Sequence, residues 1–219
     1  MFSVALIGAD GAGKTTVARQ LADKLPFPAA YMYMGSNLEA GNWMLPSTWL
    51  VRSWKRIRGK SNEGGGPPRR QPRRKRGILR QLKSACSLVH RMTEEAFRHC
   101  VAGTMRRFGR VVIFDRHFYP DYYAFDIASK ERSWLQRWHG FMLSRVFPRP
   151  EMVIFLDAPS DVLFARKGEG TVELLEARRQ DYLKVQDQFK CFVSVDARQS
   201  VEEVAEEVAH RIVDYRNQK

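Results

Sequence analysis

The run Gly8-Ala9-Asp10-Gly11-Ala12-Gly13-Lys14-Thr15 fits the spacing G-x-x-x-x-G-K-[ST] and lies between an apolar segment and a helical pattern. That context demands a strand, a tight glycine-rich loop and a helix in succession. Glycines supply positive φ angles, which let backbone N–H groups curl around an anion. Upstream, Phe2 to Ile7 is nearly continuous in apolar residues and suits a strand covered on both faces. Downstream, Val17, Ala18, Leu21, Ala22 and Leu25 recur at helical spacing, with Pro26 just beyond. The helix therefore begins at the loop and aims its positive end at the loop's contents. Gly8, Asp10, Gly11, Ala12, Gly13, Lys14, Thr15 and Thr16 are thus expected to cradle a nucleoside triphosphate. Lys14 reaches its β and γ phosphates, and the Thr15 hydroxyl binds Mg²⁺.

Four further apolar runs alternate with helical patterns: Tyr31 to Met34, Val111 to Phe114, Val153 to Leu156 and Phe192 to Val195. This alternation predicts a three-layer α/β fold, a five-stranded parallel sheet with helices on both faces. Apolar positions from Ala85 to Val101 mark a long helix before the third strand. Val201, Val204, Ala205, Val208, Ala209, Ile212 and Val213 mark the last helix, opened by a Ser200–Glu203 capping box. A chain of 219 residues suits a single domain over 1–219.

The net charge of +13 is local in origin. Between Arg52 and Lys83 stand thirteen basic residues and one acid, Glu63, so this stretch carries +12 of the total. It also contains Gly64-Gly65-Gly66-Pro67-Pro68, which predicts a basic, partly flexible insertion at 52–83. A solvated linker and a patch for a peripheral polyanion, nucleic acid or anionic lipid, both account for it. Cys86, Cys100 and Cys191 form no metal-ligand spacing and are expected to be reduced, mostly buried thiols of a cytoplasmic protein. No apolar run approaches a membrane span, and the first strand begins at once, so neither an anchor nor a leader is expected.

The third apolar run ends in Phe114-Asp115-Arg116, which places an acid and a cation at the carboxyl edge of the sheet, beside the loop. Asp115 suits hydrated Mg²⁺, and both residues are expected at the substrate. Arg116 offers a fixed fork of donors for a phosphate or carboxylate, which favours an anionic acceptor over water. A strand-end ion pair is the structural alternative. Asp10 is unusual next to a triphosphate, and either a sugar hydroxyl, a cation or a local Asx turn would account for it.

With the loop Gly8 to Thr16, the Asp115-Arg116 pair, Leu156-Asp157-Ala158-Pro159 and Arg166 in place, the chain resembles the thymidylate kinase family of P-loop nucleoside monophosphate kinases. The resemblance covers most of the chain outside the basic stretch. It implies that Asp10 contacts the acceptor's sugar hydroxyl, that segment 166–182 is a lid with arginines over the transferred phosphoryl group, and that adenine lies at Asp196-Ala197-Arg198-Gln199, with Arg198 on the cofactor. Glycines flank the cationic run Arg166-Lys167-Gly168-Glu169-Gly170, in keeping with a closing segment. Arg166 ranks first there, ahead of Arg178 and Arg179, which could equally pair with Glu176 or Asp181 on a helix surface.

The pattern departs from the family where the acceptor base is read. His117-Phe118-Tyr119-Pro120-Asp121-Tyr122-Tyr123-Ala124-Phe125-Asp126 retains neither the family's Ser nor its Gln. The second strand continues into Met34-Gly35-Ser36-Asn37 in place of Arg-Glu-Pro, and Glu94 and Glu95 stand where an arginine is common. Tyr119 is taken as a substrate residue, although its aromatic cluster equally suits packing. The resulting expectation is an ATP- and Mg²⁺-dependent phosphotransferase with Lys14, Asp10, Arg116 and Arg166 in catalytic roles. Its acceptor would be a small-molecule nucleoside monophosphate, dTMP foremost. The alternatives are a hydroxyl acceptor (nucleoside, polynucleotide end, sugar or glycolipid) or a non-catalytic nucleotide-dependent polyanion binder. A homodimer is also expected.

Overall fold

A computed structural model describes residues 1–35, 43, 45, 46, 48, 78–130 and 133–219. The basic insertion therefore lies outside the described residues, apart from the backbone of 78–83. Five parallel strands form one sheet in the order β2-β3-β1-β4-β5: β1 (Ser3–Ile7), β2 (Ala29–Tyr33), β3 (Val111–Asp115), β4 (Met152–Asp157) and β5 (Phe192–Asp196). The helices between them are α1 (Lys14–Lys24), α2 (Ile78–Arg107), α3 (Phe118–Tyr122), α4 (Trp134–Arg145), α5 (Ser160–Lys167), α6 (Val172–Leu183) and α7 (Val201–Asn217). A π-helical turn, Tyr123–Ile127, follows α3.

Alternation along the strands explains the layers. Val4, Leu6, Val111, Ile113, Ile154 and Leu156 pack with α1 and α7, while Ala5, Ile7, Val112, Phe114, Val153 and Phe155 pack with α2, α3, α4 and Tyr182. Both faces are apolar because helices cover both, which is the condition that parallel strands require. The Ser200–Glu203 capping box opens α7 as expected, and a second one, Ser133–Gln136, opens α4.

Two expectations need correction. The second strand is Ala29–Tyr33 rather than 31–34, since pairing with β3 from Ala29↔Val111 to Tyr33↔Asp115 defines it and two small alanines hid its start. Cys86 and Cys100 are exposed and Cys191 is half-buried; all three are free. The first two lie on the outward side of α2, a helix of 30 residues of which the core covers one side.

Register brings the functional edge together. Leu6 lies beside Asp115, Tyr33 beside Asp115 and Asp157 beside Asp196, so the loops after all five strands open on the same side. The order of the strands makes the chain leave β1 toward β2 and leave β3 toward β4, and the crevice between these departures is where ligands of such sheets bind.

Candidate active site

The loop after β1 closes tightly over the sheet edge. Gly8 has φ 152° and a Cβ there would stand 2.7 Å from the Leu156 carbonyl oxygen; at Gly11, φ is 94° and the Leu163 carbonyl oxygen would be 2.6 Å away. Neither site admits a side chain, so the spacing of the motif is imposed by contacts with β4 and α5 as well as by loop curvature. Gly13, with φ 80°, precedes α1, whose first turn carries no acid, leaving its N–H groups and positive end directed at the loop.

Lys14 is buried, and its Nζ donates to the Ala9 carbonyl at 2.7 Å. Burial pulls its pKa down to about 7, helped by Arg116 and opposed by Asp10, Asp115 and Asp121. An ammonium so poised lacks a full counter-charge and is completed by an incoming phosphate. Thr15 follows in the first turn of α1, half-buried, while Thr16 is exposed.

Asp10 is the centre of a charge cluster. Arg116 Nη2 donates to its Oδ1 at 2.7 Å, and Arg178, from α6, donates to Oδ2. Burial alone would raise its pKa, but Arg116, Lys14 and Arg178 outweigh it and hold the carboxyl well below the usual range. Arg116 sits at φ 70°, the one left-handed residue besides glycine among those described. A long side chain held there is strained by about 1 kcal/mol or more, and such strain collects at functional positions. Its N–H is tied to the Leu6 carbonyl at 3.0 Å, which turns the guanidinium toward the loop.

Asp115 is fully buried; its Oδ2 accepts from the Tyr31 hydroxyl at 3.1 Å, and its Oδ1 has no hydrogen-bond partner among the described residues. Burial followed by Asp115 lifts the Tyr31 hydroxyl to about 12, so it stays a donor. An orphaned carboxylate oxygen in the interior costs about 1–3 kcal/mol, and a hydrated cation beside the phosphates is the chemistry that fits it. Thr15 and Asp115 thus form a donor set suited to Mg²⁺ that arrives with a nucleotide. No cluster of three His, Cys, Asp or Glu among the described residues would hold a metal alone.

A second carboxylate escaped the sequence reading. Asp121, on α3, accepts from the buried Tyr182 hydroxyl at 2.8 Å. Burial raises its pKa, against the pull of Arg116, the Tyr182 bond and Lys14. Conversely, Asp121 and Asp10 overcome desolvation to raise the Arg116 pKa above its already high value. Only an acid five residues after Arg116 hinted at this, and nothing in the sequence joins position 121 to 182.

The segment 166–182 is arranged differently from its ranking by sequence. Arg166 donates to the Ala197 carbonyl at 2.6 Å and the Arg198 carbonyl at 3.0 Å, which ties it to the loop after β5. Arg178 faces the phosphate loop. Arg179 grips Asp157 with a fork, Nε to Oδ1 at 2.5 Å and Nη2 to Oδ2 at 2.9 Å. Arg198 is exposed and paired with Asp196 at 2.6 Å. Tyr119 is also apart from the charge cluster. The His117 ring caps α3 by accepting from the Tyr119 N–H, and the short helix turns Tyr119 into the core, under Arg149 at 4.2 Å and against Phe189. Arg98, one turn from Glu94, is consumed by Glu94 and by the carbonyls of Tyr33 and Gly35.

No family model matches the chain. Among curated proteins it is 34% identical over 108 residues to a probable thymidylate kinase of Pyrococcus abyssi, covering 46% of this chain and 50% of that one. It is 27% identical over 110 residues to a probable thymidylate kinase of Methanosphaera stadtmanae, covering 48% and 54%. The chain thus spans about half the length of the curated relatives it matches. Among solved structures, a deoxyadenosine kinase from M. mycoides with the products dCMP and a flexible dCDP bound superposes with a TM-score of 0.56 at 15% identity, over 97% of this chain and 99% of that one. The same enzyme with bound dATP gives 0.54 at 17% identity, over 96% and 98%. The fold is the three-layer P-loop α/β fold expected from the alternation of strands and helices, and the similarity to proteins named thymidylate kinase agrees with the motifs.

Proposed function

We propose that this chain is a P-loop kinase that transfers the γ-phosphoryl group of ATP to a nucleoside monophosphate, with dTMP as the foremost candidate. The observation that carries this reading is Asp10, a carboxylate inside the phosphate loop held between Arg116 and Arg178. Two guanidinium groups meeting at the mouth of a phosphate loop make a site for an anionic acceptor, and hydrolysis of ATP by water requires neither.

In this reading the loop amides and Lys14 hold the β and γ phosphates, and Thr15 and Asp115 would hold Mg²⁺. Bound there, the ion would neutralise charge on the β and γ oxygens. Arg116 releases Asp10 to take the acceptor's phosphate, freeing the carboxylate for a sugar hydroxyl. Arg178 moves from Asp10 to the transferring group, and Arg166, released from the carbonyls of 197 and 198, adds charge as segment 166–182 closes. Arg198 flanks the adenine in this reading. A phosphate oxygen is already nucleophilic, so no general base is needed and catalysis consists of positioning and electrostatic stabilisation. The relatives' names, probable thymidylate kinase, agree with this reading.

A hydroxyl acceptor is favoured by one observation, the second carboxylate at Asp121, whose raised pKa suits a base. A coupled ADP-release screen over nucleoside monophosphates, nucleosides, sugars and oligonucleotides separates the two. Turnover with dTMP or another monophosphate is the expected result. Turnover with a nucleoside or sugar alone transfers the role of base to Asp10 or Asp121, and absence of any transfer removes the kinase reading.

A further inference from the structure

The backbone leaving β2 is held by a buried cation that the chemistry above does not use. Arg98, on α2, is 1% exposed, and Glu94, one turn before it, is 5% exposed. Nε and Nη2 of Arg98 donate to Glu94 Oε1 at 3.2 and 3.1 Å, and its Nη1 donates to the Tyr33 carbonyl at 3.2 Å and to the Gly35 carbonyl at 3.1 Å. The other Glu94 oxygen, Oε2, accepts from the Thr48 hydroxyl at 2.7 Å and the Leu45 N–H at 3.2 Å. Burying an ion pair costs desolvation on both sides, and apolar residues of the same volume often hold a fold as well. What this pair adds is direction. It fixes two carbonyls, and with them the path of the chain where it leaves the sheet.

Gly35 lies on that path, against Arg116. The Met34 N–H donates to the Asp115 carbonyl at 2.9 Å, which keeps the exits of β2 and β3 together up to the residue before Arg116. A Cβ at Gly35 would stand 2.6 Å from Arg116 Cδ and 2.3 Å from the Tyr33 hydroxyl oxygen, so the stem of Arg116 crosses the space that a side chain at 35 would fill. Gly35 is not among the glycines of positive φ. Its backbone therefore admits alanine, and the glycine answers to what lies against it. Arg116 is a long side chain on a left-handed backbone, and a guanidinium fork serves a phosphate only when held in one orientation.

We propose that Arg98 and Gly35 are positioning residues for Arg116. Arg98 holds the backbone of residues 33–35 as a wall, and the missing side chain at 35 lets the Arg116 stem lie along it with its guanidinium at the acceptor's phosphate. The inference rests on the reading of Arg116 as the group that takes that phosphate. All three guanidinium nitrogens of Arg98 are engaged by the protein, so it acts on the acceptor through Arg116 and does not read a base.

The test compares the unaltered chain with Gly35→Ala, Arg98→Lys, Arg116→Ala and the double variant Gly35→Ala/Arg116→Ala. In steady-state kinetics with ATP and dTMP, or with the monophosphate that the ADP-release screen returns, Gly35→Ala should raise the acceptor KM by on the order of tenfold and leave the ATP KM within about threefold. Arg98→Lys keeps the charge but not the fork and should show the same split. The double variant should be no worse than Arg116→Ala, because the wall acts only through that side chain. An unchanged acceptor KM in Gly35→Ala, equal losses on both substrates, or additive losses in the double variant overturn the proposal. Urea unfolding gives a readout that needs no acceptor and no Arg98 variant. The shift in midpoint caused by Gly35→Ala should shrink by about half or more where Arg116 is replaced by Ala, since Tyr33 can then move into the space that the stem leaves. Equal shifts in the two backgrounds overturn the wall even where phosphoryl transfer is intact. Absence of transfer to any monophosphate removes the acceptor reading instead, and the unfolding comparison still decides whether Gly35 sets the place of Arg116.

Discussion

Replacing His139 by Gln tests the electrostatics that hold α4 in place. The ring is fully buried between Asp126 and Glu95. Burial would lower its pKa, but the bonds to Asp126 and Glu95 overcome this and raise it from 6.5 to about 9. A folded-state pKa above the unfolded value means that the folded chain holds the proton more tightly. The stabilisation is therefore complete below pH 6.5 and lost as pH rises through 9. At 1.36 kcal/mol for each unit, it amounts to about 3 kcal/mol, in line with the ~3–5 kcal/mol for removing one partner of a buried ion pair. The assay is urea unfolding of the unaltered chain and His139→Gln at pH 6.5 and 9.5. The difference in unfolding free energy should be about 3 kcal/mol at the lower pH, and under about 1 kcal/mol at the higher one, where the histidine is neutral in both states. Taking a difference cancels Lys14, whose depressed pKa adds an opposite slope to both proteins. An equal penalty at both pH values, or an NMR titration of His139 near 6.5, refutes the ionised bridge.

Lys14, with its pKa near 7 in the free protein, should take up as much as about one proton on binding ATP at pH 8 and almost none at pH 6, because phosphate restores its charge; calorimetry in buffers of different ionisation enthalpy reads this directly. Arg116→Ala should raise the acceptor KM by the equivalent of about 1.5–3 kcal/mol, the range for a hydrogen bond to a charged group, while leaving the ATP KM within about threefold; equal losses on both substrates move Arg116 out of the acceptor site. Gly11→Ala should lower stability by at least ~1 kcal/mol and abolish ATP binding, since its Cβ meets backbone at 2.6 Å, and an unaltered unfolding midpoint contradicts the loop geometry. His99 is buried with its pKa depressed to about 4, below the unfolded 6.5, so stability falls by about 3 kcal/mol as pH drops from 6.5 toward 4. His99→Phe should flatten part of that slope in urea titrations.

The phosphate loop, the parallel sheet and the capped last helix were legible because each is written in residues close together in the chain. A loop that wraps an anion needs glycines and a lysine at fixed spacing, a strand covered on both faces needs a short apolar run, and Ser200 with Glu203 is a bond across one turn. The strand end Asp115-Arg116 was legible for the same reason, although its left-handed arginine was not. Tertiary structure decided which cations face Asp10. Arg178 and Arg179 are neighbours about 100° apart on α6, so the phase of the helix sends one to the loop and the other to Asp157, and α6, unlike α1 and α7, carries no apolar stripe from which that phase can be read. The same holds for Asp121 with Tyr182, 61 residues apart, and for Glu95 with His139, 44 apart. Charges brought together from distant elements interact only once burial has removed the water between them, and that removal is a product of packing, which sequence spacing does not encode.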